Sequence, residues 1–436
     1  SDLVRSGNSI TDSGTVTVGG TLVATTDANN GVINLDQLAV DLGISLNTHG
    51  SGNATAVNDA GFLFGGGGST VGGNLAATAT TGNMTDNNDG SVTVAGTSSF
   101  TTSANNATIT LDDTDHSFTG AVTLSTTGST GHATIDNGTT ALNIAASSVG
   151  GNLTLTSGAA AGITDSGTIT VAGNLVATTD ANNGVIDLDT LAVDGTVALT
   201  TNGSGNATAV NDAGLTFAAS TVGGNLAATA TTGNMADSGA LTIAGTTTLT
   251  TSANNATIAL DTTTNAFTGA VTITTNDDSG TDADVTIDGG TTALILAAST
   301  IDGDLTVRSG NASGITDSGT LTVGGNLAAT TDANNGLINL GTLAVDGTVQ
   351  LTTNGTGNAT VVNDAGLNLA ASTVGGNFAA TATTGNMTDS GALTIAGTSS
   401  FTTSANNATI ALDTTTNAFT GAVTITTNDN DGTDAD

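Results

Sequence analysis

Carboxylates carry the densest chemistry in this 436-residue chain. TNDDSGTDAD (275–284) brings together Asp277, Asp278, Asp282 and Asp284, and TNDNDGTDAD (427–436) repeats the idea with Asp429, Asp431, Asp434 and Asp436. Hard divalent cations want several carboxylate and carbonyl oxygens, so calcium is the ligand these aspartates could take. Their spacing matches neither the EF-hand loop nor the glycine-rich nonapeptide of calcium-binding β-rolls. The plainer expectation is a solvated hairpin whose charge divalent ions would screen. A third acidic spot, DNNDG, lies at 86–90.

Acid–base and nucleophilic chemistry find less to work with. The three histidines are His49, His116 and His132. Related stretches carry Asn202 in place of His49 and Asn265 in place of His116, the pattern expected of surface variants. No G-x-S-x-G elbow joins a strand to a helix. Asp112 and Asp113 fall in a turn with no apolar pocket to raise a carboxyl pKa. The only cations are Arg5 and Arg308, which leaves no material for a cationic subsite. The expectation is therefore no catalytic residue, no enzyme and no required cofactor.

The composition limits what could position such residues. There are 61 Gly, no Pro, Cys, Trp or Tyr, and 37 Asp plus Glu against 2 Lys plus Arg, for a net charge of −35. Nucleic-acid binding needs a basic footprint that is absent, and an anionic membrane surface is an equally poor partner. Without Cys there is no disulfide framework or thiolate metal site. No apolar run reaches the roughly 20 residues of a membrane-spanning helix. The opening SDLVRSGNSI is not a signal peptide, so export would use a targeting sequence outside this chain.

Repeats organise the whole chain. ITDSG recurs at 10–14, 163–167 and 315–319, a period of about 152 residues. TTDANNG (25–31, 178–184, 330–336) alternates with TTSANNA (101–107, 250–256, 402–408), which halves that period to about 76 residues. Within each half an apolar–x–Gly motif recurs in steps of about 22, 30 and 22 residues, from Val18, Val40 and Val71 to Phe419. Around Val18, residues Val16, Val18, Gly20, Leu22 and Ala24 alternate with Thr and Gly, the period of a half-buried strand. Asn, Gly and Asp, which tolerate left-handed turns, then interrupt.

Short strands, frequent turns and a 22-residue return predict an all-β fold: one continuous parallel β-solenoid over 1–436, with super-repeats at about 1–152, 153–304 and 305–436. Counting each motif as a coil gives about 17 coils of 21–34 residues. At about 4.8 Å per coil that is a rod of roughly 80 Å. The TTxANN asparagines are expected at a corner recurring every three coils, capping backbone groups. Phe118, Phe267 and Phe419 are expected inside. A string of β-sandwiches would lack this sub-period and would be expected to carry core Trp or Tyr and linker Pro. The outward residues before each motif (Thr17, Ala39, Thr70, Thr93, Ser117 and their successors) form a threonine file, interrupted by Ala and Ser, of the kind ice-binding surfaces use.

SGTLTVGGNLAATT (318–331) and GITDSGTITVAGNL (162–175) resemble the repeats of filamentous-haemagglutinin-like proteins and other giant bacterial surface adhesins. That resemblance implies a right-handed parallel β-helix, export to the cell surface, and a role as stalk, adhesin or matrix fibre. The family's N-terminal secretion domain has no counterpart here. The expected function is an extracellular structural segment on a bacterial surface, associating with itself end to end or laterally. The alternative is an adhesin for a glycan or a neighbouring cell. Neither end carries a distinct polar cap, so a longer chain or a stack of copies is expected.

Overall fold

The computed structural model describes residues 3–27, 29–87, 90–276, 282–332 and 335–428. Among them there is no helix. Short strands pair in parallel with strands one coil away, as the period-two pattern requires. The chain forms a parallel β-solenoid of about 19 turns. It divides into two compact units, Ser1–Asp212 with Val222–Gly224 and Ala213–Thr221 with Asn225–Asp436. The division falls inside the second super-repeat.

In the first unit, one sheet (sheet A) carries Leu22–Thr26 and Leu175–Thr179, and the other (sheet B) carries Ile33–Val40 and Ser98–Asn105. Seven successive pairings on sheet A lead from Leu22–Thr26 to the matching Leu175–Thr179. The second unit repeats this, with seven pairings from Met235–Asp237 to Met387–Asp389. A super-repeat is therefore seven coils, and each 76-residue half is three and a half.

This half coil corrects the coil count and explains the two spellings. The 30-residue step covers a coil and a half, so the motif changes sheet each time it occurs. Val18 and Val40 pair on sheet B. Val71, Val94 and Phe118 pair on sheet A. Val149, Val171 and Val193 return to sheet B. Paired strand positions lie 19 to 25 residues apart in the first unit, for example Leu3↔Leu22 and Met84↔Ile109, rather than 21–34. TTDANNG follows a sheet A strand and TTSANNA a sheet B strand, so the two spellings mark opposite edges. The corner recurs every three and a half coils, not every three.

Inward positions fill a thin apolar core. Leu22, Ala24, Ile44 and Leu46 are fully buried, as are Phe118 and Phe267. Phenylalanines stack along this core: Phe64, Phe100 and Phe118 touch in sequence at centroid distances of 6.0 and 5.3 Å. In the second unit Phe378, Phe401 and Phe419 do so at 5.8 and 5.7 Å.

Candidate functional site

Of the candidate calcium ligands, Asp277, Asp278, Asp429, Asp431, Asp434 and Asp436 lie outside the described residues. Asp282 and Asp284 are exposed. Asp284 ties two coils together, because its Oδ1 accepts the Asp304 N–H at 2.8 Å. Asp304 Oδ1 accepts from Asn326 N at 2.7 Å, and Asn326 Oδ1 from Thr348 N at 2.9 Å. The result is a staircase in which each side chain reaches the backbone of the next coil. Among the described residues no group of three or more His, Cys, Asp or Glu is arranged to hold a metal.

The same staircase stands in the first unit with other residues. His132 Nδ1 accepts from Asn152 N (2.8 Å), Asn152 Oδ1 from Asn174 N (2.9 Å) and Asn174 Oδ1 from Thr196 N (2.8 Å). On the opposite edge Asn53, Asn74 and Thr97 do likewise. Asp284 and His132 thus occupy one position and share one role: an acceptor directed along the axis.

His49 is exposed, as a surface variant should be. His116 is not: only 2% of it is accessible, which overturns the surface reading. Its Nδ1 accepts from Val92 N at 2.9 Å, which leaves the proton on Nε2 for Asp86 Oδ2 at 2.6 Å. Asn265 makes the same two bonds, from Leu241 N at 2.7 Å and to Asp237 Oδ2 at 2.6 Å. Asn417 repeats them with Leu393 and Asp389. The His–Asn exchange preserves one donor and one acceptor, and burial is compatible with both. Burial pushes the Asp86 carboxyl up, but the hydrogen bonds it accepts from His116 and from Asp113 N outweigh it and hold it below the usual range.

Asp86 belongs to a set that the sequence pattern alone does not single out. The Asp of each ITD or MTD phrase latches the next coil. Asp12 Oδ2 accepts from Gln37 N (2.8 Å), Asp165 Oδ2 from Thr190 N (2.8 Å), Asp317 Oδ2 from Thr342 N (2.6 Å) and Asp389 Oδ1 from Asp413 N (3.1 Å). Asp112 and Asp113 border a cleft of about 270 Å³ with Asp86, Asn87 and Thr114. There the Asp113 N–H serves the Asp86 latch at 3.0 Å.

Sequence reasoning also misses a buried asparagine. Asn58 Oδ1 accepts from Val40 N at 2.8 Å, while its Nδ2 donates to Val40 O at 3.0 Å and Gly61 O at 2.6 Å. Asn211 and Asn363 bridge Val193 and Val345 in the same way, and Asn137 bridges Phe118. For Asn58, Asn211 and Asn363 the amide copies a backbone rung beside a register shift, as at Leu35/Leu38. The recurring V-N-D phrase is its visible signal; I-D-N stands once, at 135–137, and its sister copy reads I-D-G.

The TTxANN asparagines sit where expected. Asn30, Asn106, Asn183, Asn255, Asn335 and Asn407 all have positive φ, between 55° and 66°. Asn30 Oδ1 accepts from Ser51 N and Ser51 Oγ on the next coil (2.8 and 2.9 Å). Asn183 and Asn335 accept from Ser204 N and Thr356 N (3.0 and 2.9 Å). The motif-based threonine file is corrected: Thr17 and Ala39 lie on sheet B, but Thr70, Thr93 and Ser117 on sheet A. An in-register file in the second unit runs Thr229, Thr250, Thr274, Thr300 and Thr322, ending at Ala344.

No helix among the described residues is long and apolar enough to cross a membrane. No curated protein and no solved structure matches the chain. Five stretches, 51–125, 130–202, 204–274, 282–341 and 356–426, match one repeat family, each about the length of the three-and-a-half-coil half. The chain therefore belongs to the family described as repeats of unknown function (DUF5649).

Proposed function

We propose that this chain is an extracellular structural protein, a non-enzymatic segment of a stalk, fibre or matrix on a bacterial cell surface. One observation supports this above the rest. The recurring polar side chains, whether staircase Asn, buried Asn or latch Asp, bond from one coil to the next. Such bonds add axial connections to the backbone ladders, and a repeat array whose neighbours are tied this way resists local opening. Acidic residues and outward threonines keep the surface hydrated and, at net charge −35, mutually repelling. Divalent cations would screen that repulsion, which is the role proposed for calcium at Asp282, Asp284 and the other acidic-insertion residues. Self-association is the proposed partner mode, and recognition of a surface glycan is the competing one.

Negative-stain microscopy of the purified chain with calcium and then EDTA tests the reading. Uniform fibres or single elongated particles support a structural role, and fibres lost in EDTA assign the acidic insertions to metal. Globular beads would contradict it. Saturable binding to a glycan array by particles that do not assemble would favour the adhesin reading instead.

A further inference from the structure

The three TTDANNG corners hold a chemical feature that the TTSANNA corners lack. Asn30, Asn183 and Asn335 are exposed, and each is followed by glycine. Their side-chain carbonyls are gripped from the next coil by Ser51 N and Oγ, by Ser204 N and by Thr356 N. Gly50, Gly203 and Gly355 form the floor of each cradle at positive φ, and a Cβ on any of them would run into the asparagine Oδ1. A carbonyl that accepts directed N–H bonds is polarised toward attack, and those donors would also stabilise an oxyanion at Oδ1. The adjoining Gly nitrogen carries no neighbouring Cβ to hinder it.

We propose that Asn30, Asn183 and Asn335 are sites of self-catalysed deamidation. The Gly184 nitrogen attacks Asn183 Cγ. A C–N bond forms, the Cγ–Nδ2 bond breaks, and ammonia leaves carrying the glycine proton. Water then opens the succinimide at either carbonyl, leaving isoaspartate or aspartate. The 3.2 Å bond from Gly184 N to Ala181 O must open first, so conversion is slow on the scale of folding. Each event adds a carboxylate to the TTDANNG edge, and isoaspartate also lengthens the corner by one backbone carbon.

The chain carries its own controls. Asn106, Asn255 and Asn407 share the corner conformation but precede alanine. Asn137 precedes glycine but is fully buried, with Nδ2 bonded to Phe118 O and Ala141 O. Asn202 and Asn354 precede glycine and are exposed, with no side-chain grip of this kind.

The test ages the full chain at mildly alkaline pH, folded and in urea, and maps conversion by peptide mass spectrometry. The folded chain should convert Asn183 several-fold faster relative to Asn202 than the unfolded chain does, and should spare Asn137 and the Asn–Ala sites. Ser51→Ala, which removes a hydroxyl donor from Asn30 alone, should slow Asn30 relative to Asn183 in the same molecules. An Asn183-to-Asn202 ratio that is equal or lower on folding overturns the proposal. So does an Asn30-to-Asn183 ratio untouched by Ser51→Ala, or a folded chain that converts none of the three.

Discussion

The two halves of a super-repeat solve the same backbone problem with different cores. In the half beginning at Leu22, the inward residues run Leu22, Ala24 and then Val40. In the half beginning at Ser98 they run Ser98, Phe100 and Phe118. Large and small exchange places along one strand, and the volume lost at Ser98 reappears as two rings. The Ser98 hydroxyl is buried without a partner, as are its counterparts Thr247 and Ser399, so its value lies in its size. The polar bridges, by contrast, are the same in both halves of the first super-repeat: Asn58 serves Val40 as Asn137 serves Phe118. Apolar volume can be redistributed so long as the core stays filled, whereas a buried backbone N–H or C=O still needs a hydrogen-bond partner.

Exchanging the core order should have the largest effect. Phe100→Ala should cost about 3–5 kcal/mol in local stability by opening a cavity against Phe64 and Phe118. Adding Ser98→Leu, which installs the large–small order of the other half, should recover part of that loss; additive or worse double mutants would refute the exchange. Hydrogen exchange read coil by coil suits this measurement, since a repeat array need not unfold in one step.

Next come the shared bridges. Asn137→Ala and Asn58→Ala should each cost about 3 kcal/mol or more, because each strands a buried N–H and two carbonyls. Equal losses in the two halves, read by exchange of the Phe118 and Val40 amides, would support a common role. A loss in only one half would break the comparison.

His116→Ala should cost roughly 1–3 kcal/mol, while His116→Asn, the residue of the sister copies, should cost much less. The Asp86 carboxyl it faces lies below its ordinary range, so the contribution of the hydrogen-bonded carboxylate is present above the unfolded carboxyl value of about 3.9 and is lost as pH falls through the lower folded value. Acid titration of the wild type and Asp86→Asn should therefore converge only at the acid end. The smallest effect belongs to Asp189, whose carboxyl is pushed up by the charge of Asp165, with lesser help from desolvation and Asp187. Its penalty exists at neutral pH and fades on acidification, so Asp189→Asn should slightly stabilise near pH 7 and have no effect once the carboxyl is protonated.

Much of the fold was legible because its signals are local. Alternation in Leu22–Thr26 and the Asn-rich corners needed no long-range information. The half coil was harder to see. Val40 and Val71 read as successive copies of one motif, and nothing local says that the chain between them crosses the core an extra time. His116 misled for a related reason: replacement by Asn suggests exposure, but Asn and His offer the same donor and acceptor to a buried carboxylate. The aspartates read as a surplus of negative charge. Several of them, including Asp165, Asp284 and Asp317, are instead acceptors committed to backbone groups one coil away, a pairing visible only once the register is known.

The half-coil shift is the central claim, and the absence of native Cys allows a direct test. Asn47 and Thr70 are register partners on adjacent coils of sheet A, whereas Ala39, the motif-equivalent of Thr70, lies on sheet B. Neighbouring strand positions lie about 4.8 Å apart, close enough for a disulfide. Under mild oxidation the Asn47→Cys/Thr70→Cys pair should cross-link rapidly within the chain and the Ala39→Cys/Thr70→Cys pair should not. Efficient cross-linking of the second pair and none of the first would mean that the motifs stack straight, and the three-and-a-half-coil repeat would be wrong.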